Sequence, residues 1–382
     1  KYLAPSPSWL KRFRTICWED VKQNVAQHRA LSSSPFRIIL NRLRIILEGL
    51  VGLAPILVVT ITGDFCFDCM NLIQRNLFAL LVFSSVALLS CTTIPKNAYG
   101  DFVIKKYANN NIYEFDNHKS DKLLIYIEGS GTTSVLGEMK NKKWVSVNFG
   151  YFVAKYLVPE FTVVIPEKLG IGLGQNHWND PEFLRNYTVD NLVEYYSHTI
   201  DGYIDNHKKY ERIYVVAGSE GGILFPKIYH NLKNRDKIQK TIILGAGGLS
   251  QYECFKILAD SSIDMPNNYR EECKSIDTVV EDIAKDSDSI TKSFLGWPYK
   301  RWNSFFQYKP FDYYSDINVP ILFYQGMKDW NSPVESVEYI QQNASNKQFE
   351  YVYNPTMGHV PDLNNDKEVS NYFNELTTWL IK

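Results

Sequence analysis

The sequence predicts an α/β protein: a mostly parallel central sheet with helices on both faces. Short apolar runs alternate along the chain with longer amphipathic stretches, and runs that are apolar at nearly every position are what strands buried on both faces require. Nearly every run ends in a glycine-containing turn. The amphipathic stretches between them are long enough for the crossover that each parallel connection needs.

Taken in order, "LLIYIEGSG" from Leu123 to Gly131 is a strand closing on a glycine turn, and "FTVVIPEKLGIGLG" from Phe161 repeats the design. The stretch "VDNLVEYYSHTIDGYIDNH" carries helical periodicity. It is followed by "RIYVVAGSEGG", Arg212 to Gly222, in which β-branched and aromatic residues run into a serine fenced by Ala217, Gly218, Gly221 and Gly222. That pattern reads as a strand, a sharp turn and a helix, with Ser219 pushed into the open at the apex; only small neighbours let such a turn close. "TIILGAGG", "PILFYQGMKD" and "FEYVYN" supply the later strands. Ligands of such sheets bind at the carboxyl ends of the strands, where these turns fall.

One segment breaks the rhythm. Residues 250–310 contain Cys254, Cys273, the acidic "VVEDIAKDSDS" and the aromatic "FLGWPYKRWNSFFQYKP". A connection of that length predicts a helical cap over the carboxyl-end cleft, inserted before the strand at Pro320. Its aromatics Trp297, Tyr299, Trp302, Phe305 and Phe306 are expected partly on the sheet and partly facing the cleft.

Composition narrows the function. With 382 residues, 45% of them apolar, the chain can bury a large core. Its 41 basic and 42 acidic residues leave a net charge of -1, which gives no electrostatic footprint for nucleic acid or for a polybasic membrane contact. Nothing in the residue pattern asks for a metal or an organic cofactor. The CxxC pair Cys66 and Cys69 has no second pair to complete a zinc site.

The first methionine, Met70, opens "MNLIQRNLFALLVFSSVALLSC", with one charge at Arg75, an apolar stretch from Leu77 to Leu89, and Cys91 at its end. This segment, 70–90 with the cysteine after it, resembles a bacterial lipoprotein signal. The resemblance implies lipidation of Cys91 and an exported protein held to a membrane by its lipid; a simple membrane anchor or a buried helix is the alternative. Residues 1–69 are then expected to lie upstream of the true start, leaving 91–382 as the mature domain. With Cys91 lipidated, Cys254 and Cys273 remain as an even pair; an exported protein permits a disulfide between them, and two buried free thiols fit the sequence equally.

A serine hydroxyl is a poor nucleophile, so chemistry at Ser219 needs a base and a group that orients the base. "VPILFYQGMKDWNSPV" is a strand followed at once by a turn with Asp329, and "FEYVYNPTMGHVPDL" is a strand followed by a loop with His359. Asp316 and Asp362 are rival acids, neither in an equivalent loop. His177, His198, His207 and His230 fall in helical or loop stretches and read as surface or packing residues.

From about residue 100 to its end the chain resembles the α/β-hydrolase superfamily in "AGSEGG", "QGMKDWNSP" and "PTMGHV", in the chain order Ser, Asp, His. The resemblance implies Ser219 as nucleophile, Asp329 as acid and His359 as base. It also implies an oxyanion hole made by the backbone N–H groups of Glu220 and of Ser130, with Gly131 the next choice. Glu128 stands where members of the superfamily often carry histidine; its carboxylate is either a binder of a cationic group or tied up structurally by Lys168 or a backbone amide. The expected activity is that of a lipid-anchored serine hydrolase cleaving carboxylic esters through an acyl-enzyme. An aminopeptidase-like peptidase acting on short peptides is the alternative within enzymes, and a surface lipoprotein using the scaffold for binding the alternative outside them.

Overall fold

The computed structural model describes residues 102–107, 110–117, 120–141 and 143–382. The lipoprotein-type segment, Cys91 and the Cys66–Cys69 pair lie outside these residues. The central sheet has eight strands: β1 (Val103–Tyr107), β2 (Asn110–Phe115), β3 (Lys122–Ile127), β6 (Thr162–Pro166), β7 (Arg212–Gly218), β8 (Ile238–Leu244), β11 (Ile321–Gly326) and β12 (Phe349–Asn354). Two-residue ribbons supply β4 (Met139–Lys140) with β5 (Lys143–Trp144), and β9 (Ser293–Phe294) with β10 (Trp297–Pro298). The order across the sheet is β1-β2-β6-β3-β7-β8-β11-β12. Both pairings of β2 are antiparallel and all pairings from β6 to β12 are parallel. The antiparallel edge of β1 and β2 is an addition to the sequence-based expectation. β1 leaves Val103 and Ile104 exposed, so its apolar run is half-solvated and carries no two-sided burial signal.

Successive residues of a strand point to opposite faces, and the buried side chains sort accordingly. Ile213, Val215 and Ala217 pack into the core under helices α3 (Val189–Asn206) and α4 (Glu220–Asn231). Tyr214 and Val216 enter the opposite core with Phe152, Val153, Tyr372 and Phe373, which belong to α1 (Phe149–Leu157) and α10 (Asp366–Ile381). The sheet is therefore covered on both faces, as its near-continuous apolar strands demand.

Chain order reverses at β3: β6 adds on one side of it and β7 on the other. Such a switch point opens a crevice beyond the carboxyl ends, between the loops that leave β3 and β7. Those loops carry Glu128 to Gly131 and Ser219.

The interruption predicted between β8 and β11 is present. It holds α5 (Gln251–Asp260), α6 (Asn267–Lys274), α7 (Ile276–Lys285), the β9–β10 ribbon and α8 (Tyr299–Gln307). α5 starts with a capping box, Ser250 with Glu253. The cap has its own core of Phe255, Leu258, Met265, Cys273, Ile276, Ile283, Phe294 and Trp302.

Candidate active site

β7 delivers Ser219 at φ 51 and ψ -121. A β-carbon in that region costs roughly 1–3 kcal/mol, so the turn is held by its surroundings. Ser219 N–H donates to the Leu244 carbonyl at 2.7 Å. A β-carbon added at Gly221 would fall 2.5 Å from the Ile127 carbonyl oxygen, so glycine is required for α4 to start against the end of β3. The Ser219 hydroxyl makes no cap to the helix it precedes.

Asp329 and His359 leave the ends of the neighbouring strands β11 and β12. The Asp329 side chain is completely buried and the His359 side chain is 24% exposed. Asp329 Oδ1 accepts the Asn331 and Ser332 amides at 2.8 and 3.0 Å, and Oδ2 accepts Gln325 Nε2 at 3.1 Å. His359 Nδ1 lies 2.7 Å from the same Oδ2. These donors hold the buried carboxylate in one orientation. Burial pulls the His359 pKa down, but the charge and hydrogen bond of Asp329 outweigh it and leave the imidazole above its ordinary 6.5. The ring sits over the end of β8: a β-carbon placed on Gly245 would be 3.0 Å from His359 Cε1. Ser219, bonded through its amide to Leu244, flanks the same point. The hydrogen bond from Ser219 Oγ to His359 is not formed, and the imidazole's partner among the described residues is Asp329.

The rival residues lie elsewhere. Asp316 pairs with His230 at 2.7 Å on the surface, Asp362 accepts the Asn364 amide in an exposed turn, His177 pairs with Asp180 at 2.7 Å, and His207 stacks on Tyr203.

The loop after β3 closes over the serine. A β-carbon on Gly129 would stand 3.0 Å from Ser219 Cβ and 3.6 Å from its Oγ. Glu128 Oε1 accepts the Tyr126 hydroxyl at 3.0 Å and Gly129 N–H at 2.9 Å, while Oε2 accepts Gly150 N–H at 3.1 Å. The structural alternative therefore holds for Glu128, through backbone amides and Tyr126; Lys168 bonds to the Ser130 carbonyl oxygen at 3.3 Å instead. The Gly129 amide is engaged, whereas the Ser130, Gly131 and Glu220 amides have no acceptor among the described residues.

Sequence reasoning missed Arg301. Its Nη2 lies 2.6 Å from Glu220 Oε2, both side chains are buried, and the Tyr187 hydroxyl donates to Glu220 Oε1. The guanidinium is ringed by Phe305, Trp302 and Trp297, with centroids at 4.2, 4.3 and 4.9 Å. This pair joins α8 of the cap to the residue following Ser219. Glu220 on the buried face of α4 was the available sign, since a buried carboxylate there needs a donor set.

The cap aromatics divide as expected only in part. Trp302 is buried in the cap core and Phe305 in the sheet core, while Trp297, Tyr299 and Phe306 are half-buried. Cys254 and Cys273 are free thiols, so the bridge that their even count permits is not formed. Cys273 is sealed in the cap core, whereas Cys254 meets the Ser336 hydroxyl of α9 (Val334–Asn343) and has its pKa pushed up to about 12 by burial.

No family model matches the chain, and no curated protein matches it in sequence. Solved structures do match. VinJ aligns at a TM-score of 0.51 and 14% identity, over 74% of this chain and 98% of its own. An α/β-hydrolase-fold protein from Chitinophaga pinensis aligns at 0.44 and 13%, over 75% and 97%. An esterase from Exiguobacterium antarcticum aligns at 0.45 and 15%, over 73% and 99%. The chain has the α/β-hydrolase fold: an eight-stranded, mostly parallel sheet, helices on both faces and a cap inserted before the strand that leads to Asp329.

Proposed function

We propose that the protein is a serine hydrolase that cleaves carboxylic esters through an acyl-enzyme. Ser219 attacks the carbonyl carbon, and His359 takes the hydroxyl proton through Nε2 and returns it to the leaving alkoxide. Asp329 holds the ring with Nδ1 protonated, and the Ser130 and Glu220 amides stabilise the oxyanion. Water then repeats the sequence on the acyl-enzyme. The observation that carries this reading is the 2.7 Å contact between a buried Asp329 carboxylate and His359, set beside a serine in strained backbone.

The ester reading is preferred to the aminopeptidase-like one because Glu128, the group offered as an amine binder, spends both oxygens on internal donors. The proposal extends to the setting: lipidation at Cys91 would hold the enzyme to a bacterial membrane, on its periplasmic or surface side. A fluorophosphonate probe tests the chemistry. Stoichiometric labelling at Ser219, lost in Ser219→Ala, is expected; a folded protein that stays unlabelled refutes it. Cleavage of p-nitrophenyl esters in preference to aminoacyl p-nitroanilides is expected of the same preparation.

A further inference from the structure

Lys168 is 2% exposed, and a buried ammonium is among the most costly groups a fold can hold. Among the described residues it forms no ion pair. Three buried carboxylates surround it at longer range, Glu128, Glu167 and Glu220, and each is already occupied. Glu128 accepts Tyr126, Gly129 and Gly150. Glu220 accepts Arg301 and Tyr187. Glu167 accepts the Val135 and Lys168 amides at 2.9 and 2.8 Å and the Tyr113 and Ser134 hydroxyls at 2.7 and 2.5 Å. The direct bond of the ammonium is to the Ser130 carbonyl oxygen, at 3.3 Å. The backbone accommodates it through Gly131, which has φ +132 and whose added β-carbon would stand 3.2 Å from Lys168 Nζ.

The loop is thus gripped twice. Glu128 holds the Gly129 N–H on one side, and Lys168 holds the Ser130 carbonyl on the other. Between these two grips lies the peptide whose Ser130 N–H has no acceptor among the described residues and which borders Ser219. We propose that Lys168 is a positioning residue for acyl transfer: by fixing the Ser130 carbonyl it holds the Ser130 N–H toward the oxyanion. This rests on the serine-hydrolase reading.

The test is Lys168→Met, which keeps the chain length and removes the charge and the donors. Active sites are first counted with a fluorophosphonate, so that losses of folded protein are separated from losses per site. Per titrated site, kcat on a p-nitrophenyl ester is expected to fall about 10- to 100-fold with KM within about threefold, since misplacing one oxyanion donor acts on the transition state. The affinity of a boronic acid, which forms a tetrahedral adduct on the serine, should weaken by the same factor as kcat/KM. Lys168→Arg should recover part of both. A full titre with kcat within twofold of the parent overturns the proposal. If Lys168→Met does not fold, Gly131→Ala decides in its place: it crowds the ammonium without removing it, and an unchanged kcat per site is the overturning result. Failure of the parent protein to label at Ser219 would instead reject the underlying reading.

Discussion

His359 Nδ1 lies 2.7 Å from Asp329 Oδ2, and the same carboxylate takes two backbone amides and the Gln325 side chain. The acid is thereby fixed before any substrate arrives, and it determines both the tautomer and the basicity of the imidazole.

The consequence is a specific pH profile. Because Asp329 leaves His359 above its ordinary 6.5, and only neutral imidazole acts as a base, the acid limb of kcat/KM should have its midpoint above that value. In Asp329→Asn the depressing effect of burial is left unopposed, so the limb should move to lower pH while kcat falls by about 10⁴. Stability follows the opposite sense. A raised folded-state pKa stabilises below the unfolded value and loses that contribution as pH rises through the folded one. The melting-temperature advantage of the parent over Asp329→Asn should therefore be larger at pH 6 than at pH 9. Identical pH–rate limbs in the two proteins would remove Asp329 from the role.

Ser219 provides a second expectation, separating activity from stability. Its hydroxyl caps nothing and its backbone stands at φ 51. Ser219→Ala should abolish turnover with stability within about 0.5 kcal/mol of the parent. Ser219→Gly should abolish turnover and gain about 1 kcal/mol, because glycine occupies positive φ without a steric cost. Chemical denaturation of the three proteins checks this; a large loss in Ser219→Ala would mean that the hydroxyl serves packing.

The fold, and the placement of Ser219, Asp329 and His359 on turns after β7, β11 and β12, were legible in the sequence because each rests on local chemistry. Apolar runs mark β3, β6, β7, β8 and β11, and a glycine turn follows each. The partners of buried charges were not legible. Glu220 meets Arg301 and Tyr187, and Lys168 meets Ser130 rather than Glu128, through contacts between distant segments that no spacing encodes. The cysteine count likewise permitted a bridge, whereas side-chain direction keeps Cys273 in the cap core and turns Cys254 toward Ser336.

The buried Arg301–Glu220 pair carries a prediction about the cap. Removing one member strands the other's charge, at a cost of about 3–5 kcal/mol, whereas replacing both with apolar groups of similar size is often neutral. Arg301→Met should be strongly destabilised, and Glu220→Leu combined with Arg301→Met should return near the parent. Urea unfolding of the two singles and the double gives the coupling directly. Additive losses would mean that the pair does not tie the cap to the serine turn.

The ester reading carries an expectation about chain length. Met327 and Val360 are 48% and 40% exposed on the two turns that carry Asp329 and His359. Trp330, next to the acid, is half-buried and meets Tyr269 of the cap edge-on at 4.9 Å. Apolar side chains left on the turns of a polar site favour an apolar acyl or alkoxy chain, and each methylene transferred out of water contributes about 0.8 kcal/mol, or roughly fourfold in kcat/KM. A series of p-nitrophenyl esters from acetate to octanoate should therefore show kcat/KM rising with chain length until these side chains are covered. Trp330→Ala should flatten the slope while leaving the acetate rate within about twofold, because the acetyl group does not reach the ring. Reductant should leave the whole series unchanged, as Cys254 and Cys273 are free. A flat profile in the parent would show that these side chains contribute nothing to substrate binding, and an acetate rate that falls with the octanoate rate in Trp330→Ala would show that the ring supports Asp329 instead.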